Sequence, residues 1–393
     1  MRARDMVFVG GLLAFAAFVP PGASAQSGAS GPDAWRAHFQ TAEEARRVED
    51  GATYAAEMAK AAEAMPVGHL NRPFVQYHAA RGAAMQGRAD DAVRWLRTAW
   101  DEEIESLMIS FARFDPAFDA LEGLPAFEEV LGLAAELELE VTPLGGSAHL
   151  LAGAGSNLVA QVGPDGVLLV DTGYAPALEA VRRALASLGA DGVDLLVVTH
   201  PHEDHMGSAA ALGAEATLLA HPGTEAAMRE PYVFMEGVEL PPKEATALPE
   251  VQVARDTTFT FNGERVRLVP TVAHTPGDVS VYFEGSKVAH FGDTYLAGNP
   301  MMFPGTEDAV GFLDRLEAFL DSMDPETVVV GGHESPTDLG AVRAQIETSR
   351  ACLAFVESAI ADGLTIEQTA ERGAERFPVA WIAFFYGYLS REG

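Results

Sequence analysis

A single cysteine, Cys352, occurs in 393 residues, and cations are scarce: 26 Lys and Arg stand against 57 Asp and Glu, a formal net charge of −31. One cysteine excludes an internal disulfide, so stability has to come from the core or from a bound metal. It also leaves no set of thiolates for a closed structural zinc site. The charge imbalance excludes nucleic acid and anionic membrane surfaces as natural partners. A polyanionic substrate is excluded on the same ground unless a metal offsets the field. Long apolar runs are missing too, except at the start. In MRARDMVFVGGLLAFAAFVPPGASA, Arg2 and Arg4 precede an apolar stretch from Met6 to Val19 that is too short to span a bilayer, and Ala23-Ser24-Ala25 follows. Residues 1–25 therefore read as a signal peptide, which makes the mature protein exported, periplasmic or secreted, with no membrane contact after cleavage. Residues 26–34 read as a small-residue linker.

What is present falls into three textures. Residues 35–140 are rich in Ala, Glu and Arg with helical spacing, enough for four to six helices. Within them GRADDAVRWLRTA sets Gly87, Ala92, Leu96 and Ala99 at a small-large-small spacing that suits close helix packing, and this resembles the second helix of a tetratricopeptide repeat. Only one such unit is clear. The helical domain reads either as a surface for protein contact or oligomerisation, or as a brace. Residues 141–340 alternate strand-like runs with Gly/Pro/Asp turns. Gly163-Pro164-Asp165-Gly166 turns NLVAQV into VLLVD, APALEAVRRALASLG is an amphipathic helix, and VDLLVVTH is a strand buried on both faces. ATLLAH, VQVARDTTFTFNG, ERVRLVPTV, VSVYFE, KVAHFGD and TVVVGGH read as further strands, with a helix over 307–322 before the last. Residues 341–393 return to helix, with Cys352 as a small core residue and WIAFFYGYL burying its aromatics.

The chemistry is concentrated where strands end. VVTHPHEDHMG crowds His200, His202, Asp204 and His205 just past an apolar run. Imidazoles at i and i+2 project to one side, and the next turn brings Asp204 and His205 back to the same space. Neutral imidazoles with a carboxylate suit a borderline cation such as zinc. His274 in VAHTPGD, Asp293 in HFGDTY and His333 in VVVGGHES repeat the pattern at three further strand ends. Seven donors are too many for one zinc and about right for two, with Asp293 as the natural bridging carboxylate. A lone histidine in a loop is more often just hydrogen-bonded; seven placed alike at strand ends are not explained that way.

Together and in this order, VDTG, HPHEDH, AHTPGD, FGDT and GGHE resemble the metallo-β-lactamase superfamily, the glyoxalase-II-like hydrolases, over about 145–340. The resemblance implies an α/β fold, a four-layer αββα sandwich with the metal site at one edge of the two sheets, here carrying an added N-terminal helical domain and C-terminal helices. It implies that His200, His202 and His274 bind one zinc, that Asp204, His205 and His333 bind a second, and that Asp293 bridges them. Asp171 of VDTG becomes a carboxylate that steadies the site from the neighbouring strand. The implied reaction is hydrolysis of a small ester, thioester, lactone or lactam by a metal-bridged hydroxide, with Asp204 or a water carrying the proton. Iron or manganese are the other ions this donor set accepts.

Departures narrow the substrate class. An aspartate, Asp293, stands where the cysteine-containing β-lactamases place a thiolate, which is closer to the thioesterase and lactonase branches. The C-terminal basic cluster with which glyoxalase II holds glutathione is replaced by scattered arginines, Arg350, Arg372 and Arg376. His202 argues against the diiron flavoprotein branch. A mononuclear iron oxygenase of the persulfide type, using His200, His202, His274 and Asp293, is the alternative on the same fold, and β-lactamase activity is an alternative within the hydrolases. A third reading makes the helical domain the functional part, as a binding module. Tyr232, Tyr295 and Asn299 are candidates for contact with a small-molecule substrate. The segment 229–242, with Tyr232, Phe234 and Met235, shows neither helical nor strand period and reads equally as a loop over the metals or as packing against the C-terminal helices.

Overall fold

The computed structural model describes residues 34–67, 69, 72–102, 106–235, 238–301 and 309–390. The signal peptide read at 1–25 and nearly all of the linker lie outside the described residues. The chain divides into two compact units: the described residues up to Leu137 with 231–241, and 138–230 with 242 onwards.

The helical unit opens with α1 (Ala34–Arg47), α2 (Gly51–Ala64), α3 (Arg72–Met85) and α4 (Ala89–Asp101), each packed on the next, and closes with the short α5 (Pro125–Gly132). Their buried positions follow the helical period: Trp35, Phe39, Ala42 and Ala45 on α1, and Ala92, Trp95, Leu96 and Ala99 on α4. In contrast α3 is buried nearly all round, as a helix with neighbours on several sides must be. The close approach of helices comes from Gly82 and not from Gly87. A Cβ on Gly82 would sit 2.8 Å from the Ala55 Cα, whereas Gly87, at φ +67, turns the chain between α3 and α4 with nothing near it. Adjacency in sequence had suggested that Gly87 belonged to the packing face; left-handed φ is what glycine supplies there.

The α/β unit contains two sheets, the first formed within residues 140–252 and the second within 257–338. In the first stretch β1 (Glu140–Gly145), β2 (Ala148–Ala152), β3 (Leu158–Gly163) and β4 (Gly166–Val170) run antiparallel. After α6 (Leu178–Ser187) the strand β5 (Leu195–Val197) pairs parallel with β4. Two short helices, α7 (Glu203–Met206) and α8 (Ala209–Gly213), lead to β6 (Thr217–Ala220), also parallel, and α9 (Pro222–Met228) follows. The chain then forms β7 (Tyr232–Met235) and β8 (Val238–Leu240), an antiparallel ribbon that groups with the helical unit. A loop was one reading of this segment; the β-prone YVFM and VEL form strands without the alternation that marks a strand over a core. β9 (Val251–Gln252) closes the first sheet beside β6.

The second sheet takes β10 (Thr257–Phe261), β11 (Glu264–Pro270), β12 (Val279–Phe283), β13 (Val288–His290), β14 (Val328–Val330) and β15 (Thr337–Asp338) in that order, antiparallel except for the parallel pair β13–β14. VQVARDTTFTFNG is therefore two strands, not one. Val253 is buried, Arg255 and Asp256 are exposed, and the chain changes sheets between them. Helix α10 (Ala309–Asp321) crosses from β13 to β14, and α11 (Leu339–Ala361), α12 (Ile366–Gly373) and α13 (Val379–Leu389) end the chain.

Two apolar layers hold this unit. Leu150, Val159, Leu168, Val170 and Val197 of the first sheet meet Val266, Leu268, Val281, Phe283 and Val330 of the second, each contributing about 1.5–3 kcal/mol on burial. The outer face of the second sheet packs Tyr282, Ala289, Phe291 and Val329 against Phe312, Leu316, Phe319, Val342 and Ile346. Cys352 is fully buried on α11, and α13 buries Trp381, Ile382, Phe385 and Tyr388. The two sheets are also tied at their hairpin tips, where Asp165 N donates to Asn262 Oδ1 (2.8 Å) and Asn262 N donates to Asp165 Oδ2 (2.7 Å).

Candidate metal centre

Five strands deliver the polar residues to one place by their carboxyl ends. Asp171 follows β4, the HPHEDH run follows β5, His274 follows β11, Asp293 follows β13 and His333 follows β14. Apolar β-strands of three to seven residues end there because glycines, prolines and short helical turns take over. Carboxyl ends of parallel strands are where open α/β sheets generally leave room for ligands.

Two groups result. His200, His202, His274 and Asp293 bring one ligand atom each within 4.8 Å of one another, and Asp204, His205 and His333 do the same. In the first group the Nε2 atoms of His200 and of His274 each lie 3.0 Å from His202 Nδ1, and Asp293 Oδ2 lies 3.7 Å and 3.4 Å from the same two Nε2 atoms. In the second, Asp204 Oδ2 is 3.2 Å from both His205 Nε2 and His333 Nε2, and Asp293 Oδ1 is 3.2 Å and 3.4 Å from these. Ligand atoms ~2.0–2.1 Å from a tetrahedral ion lie about 3.3 Å apart. Both groups match that edge, and the two oxygens of Asp293 face one group each.

The electrostatics fit a cation. His205 Nε2 and Asp293 Oδ1 are buried with no hydrogen-bond partner, which is costly unless something else satisfies them. Burial keeps the imidazoles of the first group neutral, with His200 and His202 below their ordinary range and His274 down at about 3, so their lone pairs are available. Burial by itself would raise the Asp204 and Asp293 carboxyls, but the facing imidazoles hold both well below the usual range. Conversely, burial would lower His205 and His333, and the carboxylates pull both well above it. Space is shaped to match: a Cβ at Gly332 would fall 1.9 Å from Asp293 Oδ1, so only glycine fits beside that oxygen.

Asp171 lies beside His205 of the second group. Its backbone is left-handed, φ +64, and its carboxylate accepts the Thr199 N–H (2.7 Å), the Thr199 hydroxyl (2.8 Å) and His205 Nδ1–H (2.7 Å). The last bond fixes the His205 tautomer and turns Nε2 towards the second group. Glu203, between His202 and Asp204, points inward and pairs with Lys243 at 2.6 Å.

The three candidates for substrate contact part company. Tyr295 is buried among Phe291, Met301 and Phe312 as a core side chain. Its place two residues past Asp293 had suggested otherwise, but the chain has already turned inward under α11. Asn299 lies on the loop after it, its carbonyl held by Gln345 Nε2 (2.6 Å). Tyr232 begins β7, in the ribbon that groups with the helical unit.

Several site residues escaped the sequence reading. Asp278 accepts the Ala273 N–H (2.8 Å), the Thr275 N–H (2.7 Å) and the Thr275 hydroxyl (2.8 Å), and so clasps the loop that carries His274. The final residue of AHTPGD was the available signal. Asn157, Ser156 and His290 also surround the centre and left no signal beyond their place near strand ends.

Known proteins place this arrangement. The family model described as the metallo-beta-lactamase superfamily matches residues 151–333, from the end of β2 to His333. A hydroxyacylglutathione hydrolase of Acidiphilium cryptum is 31% identical over 207 residues, covering 52% of this chain and 72% of that protein. A protein of the same name from Brucella anthropi is 30% identical over 163 residues, covering 41% of this chain and 54% of that one, about half its length. Among solved structures, a metallo-beta-lactamase from Pontibacter korlensis aligns with a TM-score of 0.42 at 22% identity, over 53% of this chain and 99% of that one. With a family match spanning all seven donors and a relative aligned over most of its length, the chain belongs to the metallo-beta-lactamase superfamily and is a metal-dependent hydrolase.

Proposed function

We propose that the α/β unit is a two-metal hydrolase, with zinc as the ion, that cleaves a small acyl substrate: an ester, thioester, lactone or lactam. One observation carries this reading: the seven donors form two tetrahedral-edge groups that share Asp293 through its two separate oxygens. The donor set of imidazole nitrogens and carboxylate oxygens, without thiolate, suits a catalytic zinc pair and leaves room for water. Divalent ions held there would bring the pKa of a water towards ~7 and polarise an acyl oxygen. The chain's own part is orientation. Asp171 fixes the imidazole of His205, Asp278 clasps the loop that carries His274, Asp293 Oδ1 and Oδ2 hold the two groups in register, and Gly332 leaves the bridging carboxylate uncovered. Asp204 Oδ2, shared between His205 and His333, is the oxygen placed to accept a proton during turnover.

The name of the two relatives puts an acyl thioester first among the substrates. A mononuclear iron oxygenase would use only His200, His202, His274 and Asp293, and the convergence of Asp204, His205 and His333 tells against it. We also propose that the enzyme works outside the cytoplasm, on the strength of the export signal read in residues 1–25.

The test is a hydrolysis screen of the purified protein on nitrocefin, aryl esters, acyl thioesters and lactones, with and without chelator, beside elemental analysis. Two zinc ions per chain and chelator-sensitive hydrolysis are expected. One iron per chain with oxygen consumption would replace this reading by the oxygenase.

A further inference from the structure

The loop that carries His333 is held by a residue that is not itself one of the donors. Asn157 sits just before β3, buried, at the inner end of the Gly153–Ser156 loop. Its backbone N–H donates to Gly332 O (2.7 Å), and its side-chain Nδ2 donates to Gly331 O (2.9 Å) and Glu334 O (2.7 Å). These three bonds grip both sides of His333. Its carbonyl accepts the Nε2–H of His290 (2.9 Å), whose Nδ1 accepts the Gly292 N–H (3.1 Å), one residue before Asp293. The preceding Ser156 hydroxyl donates to the carbonyl of Asp204 (2.6 Å). Gly332 N–H closes the ring by donating to Gly292 O (2.9 Å).

The loops carrying His333, Asp293 and Asp204 are thus joined through residues 156 and 157. None of these bonds goes to His200, His202 or the loop of His274 themselves, although Asp204 shares its turn with His202 and Asp293 faces both groups. Asp278 holds the His274 loop, whereas Asp171 serves both groups, through Thr199 at the start of the HPHEDH run and through His205 Nδ1. Asn157 is well suited to the work, because a single amide group supplies the two donors that two backbone carbonyls need.

We propose that Asn157 is a positioning residue that sets the affinity of the second metal group, Asp204, His205 and His333, through the His333 loop, and reaches the first only through the shared Asp293. The inference rests on the two-metal reading given above, and it adds that the His333 and His274 loops are held by different residues, Asn157 and Asp278. A residue of this supporting kind typically changes metal affinity by about 10–100-fold.

The experiment titrates chelator-stripped full-length protein with zinc and follows the two binding events by calorimetry. His333→Ala identifies the event of the second group and His202→Ala that of the first. Asn157→Ala is expected to weaken the second event about 10–100-fold and the first by clearly less. Asp278→Asn is expected to do the reverse. If Asn157→Ala does not fold, Asn157→Asp carries the same expectation, since it keeps the size and the backbone bonds but presents oxygen to Gly331 O and Glu334 O. Equal weakening of both events, or no weakening, overturns the proposal while the two-metal reading stands. A wild-type protein that takes up a single ion overturns both.

Discussion

The helical unit and the α/β unit both bury charge, and they do it in opposite ways. In the helical unit Asp115 takes bonds from Arg81 Nε (2.9 Å) and Tyr77 (3.2 Å), Arg72 pairs with Glu102, and Tyr54 is bonded to His78 (2.7 Å). Each charge meets one opposite charge, and the atoms left over, on Gln76 and His78, are neutral. In the α/β unit five imidazoles and two carboxylates converge with nitrogens 3.0 Å apart and with buried atoms left unmatched. A polar cluster that serves the fold closes on itself; one that serves chemistry is left open for what it binds.

The sharpest way to break this contrast is to delete the central carboxylate of each unit. Asp293→Ala should lower kcat/KM by at least about 10³-fold, beyond the ~10–100-fold of residues that only support a ligand, with little change in the helical unit. Asp115→Ala should strand Arg81 and cost the helical unit about 3–5 kcal/mol, read by denaturant unfolding, while zinc content stays the same. Equal effects of the two on metal content would remove the distinction.

Next in size is Asp171→Asn, which keeps the shape but weakens the acceptor of His205 Nδ1–H. It should reduce zinc affinity and kcat/KM about 10–100-fold, measured by competition with a chromophoric chelator.

A pH titration sharpens the comparison from the other side. Burial holds His78 down at about 3, against about 6.5 in an unfolded chain. Between these values the unfolded chain takes up a proton that the folded unit refuses. This contribution to stability is therefore complete above pH ~6.5 and falls by up to about 1.4 kcal/mol per pH unit on acidification towards 3. His78→Gln should flatten that slope in urea melts taken at successive pH values; an unchanged slope would assign the acid sensitivity elsewhere.

The smallest effect belongs to Gly87, whose φ of +67 no side chain adopts without strain. Gly87→Ala should cost roughly 1 kcal/mol in thermal unfolding and leave hydrolysis untouched.

What the sequence made legible follows from where information is local. Each of the seven donors stands directly after an apolar run and beside a glycine, proline or short polar turn, so a strand end could be read around it within ten residues. Cys352 and the aromatics of α13 were legible by helical period for the same reason. Asn157 and Asp278 were not, because their meaning lies in bonds to backbone atoms. For Asn157 the partners are 174 and 177 residues away, a distance no pattern spans. The change of sheet at Val253–Asp256 was hidden because both flanking runs are β-prone and only burial tells them apart. Tyr295 turns into the core: nearness in sequence to Asp293 says nothing about which way a side chain turns two residues later.

The first sheet is built before residues 253–256 and the second after them, and neither half owns a complete set of donors. His200, His202, Asp204 and His205 precede the crossing at Val253–Asp256, and His274, Asp293 and His333 follow it. Neither coordination group can exist until both halves have docked. Metal uptake is therefore a reporter of finished assembly: a chain interrupted at the crossing should gain its ions only when the two fragments find each other, and a nascent chain should stay metal-free until nearly its full length has emerged.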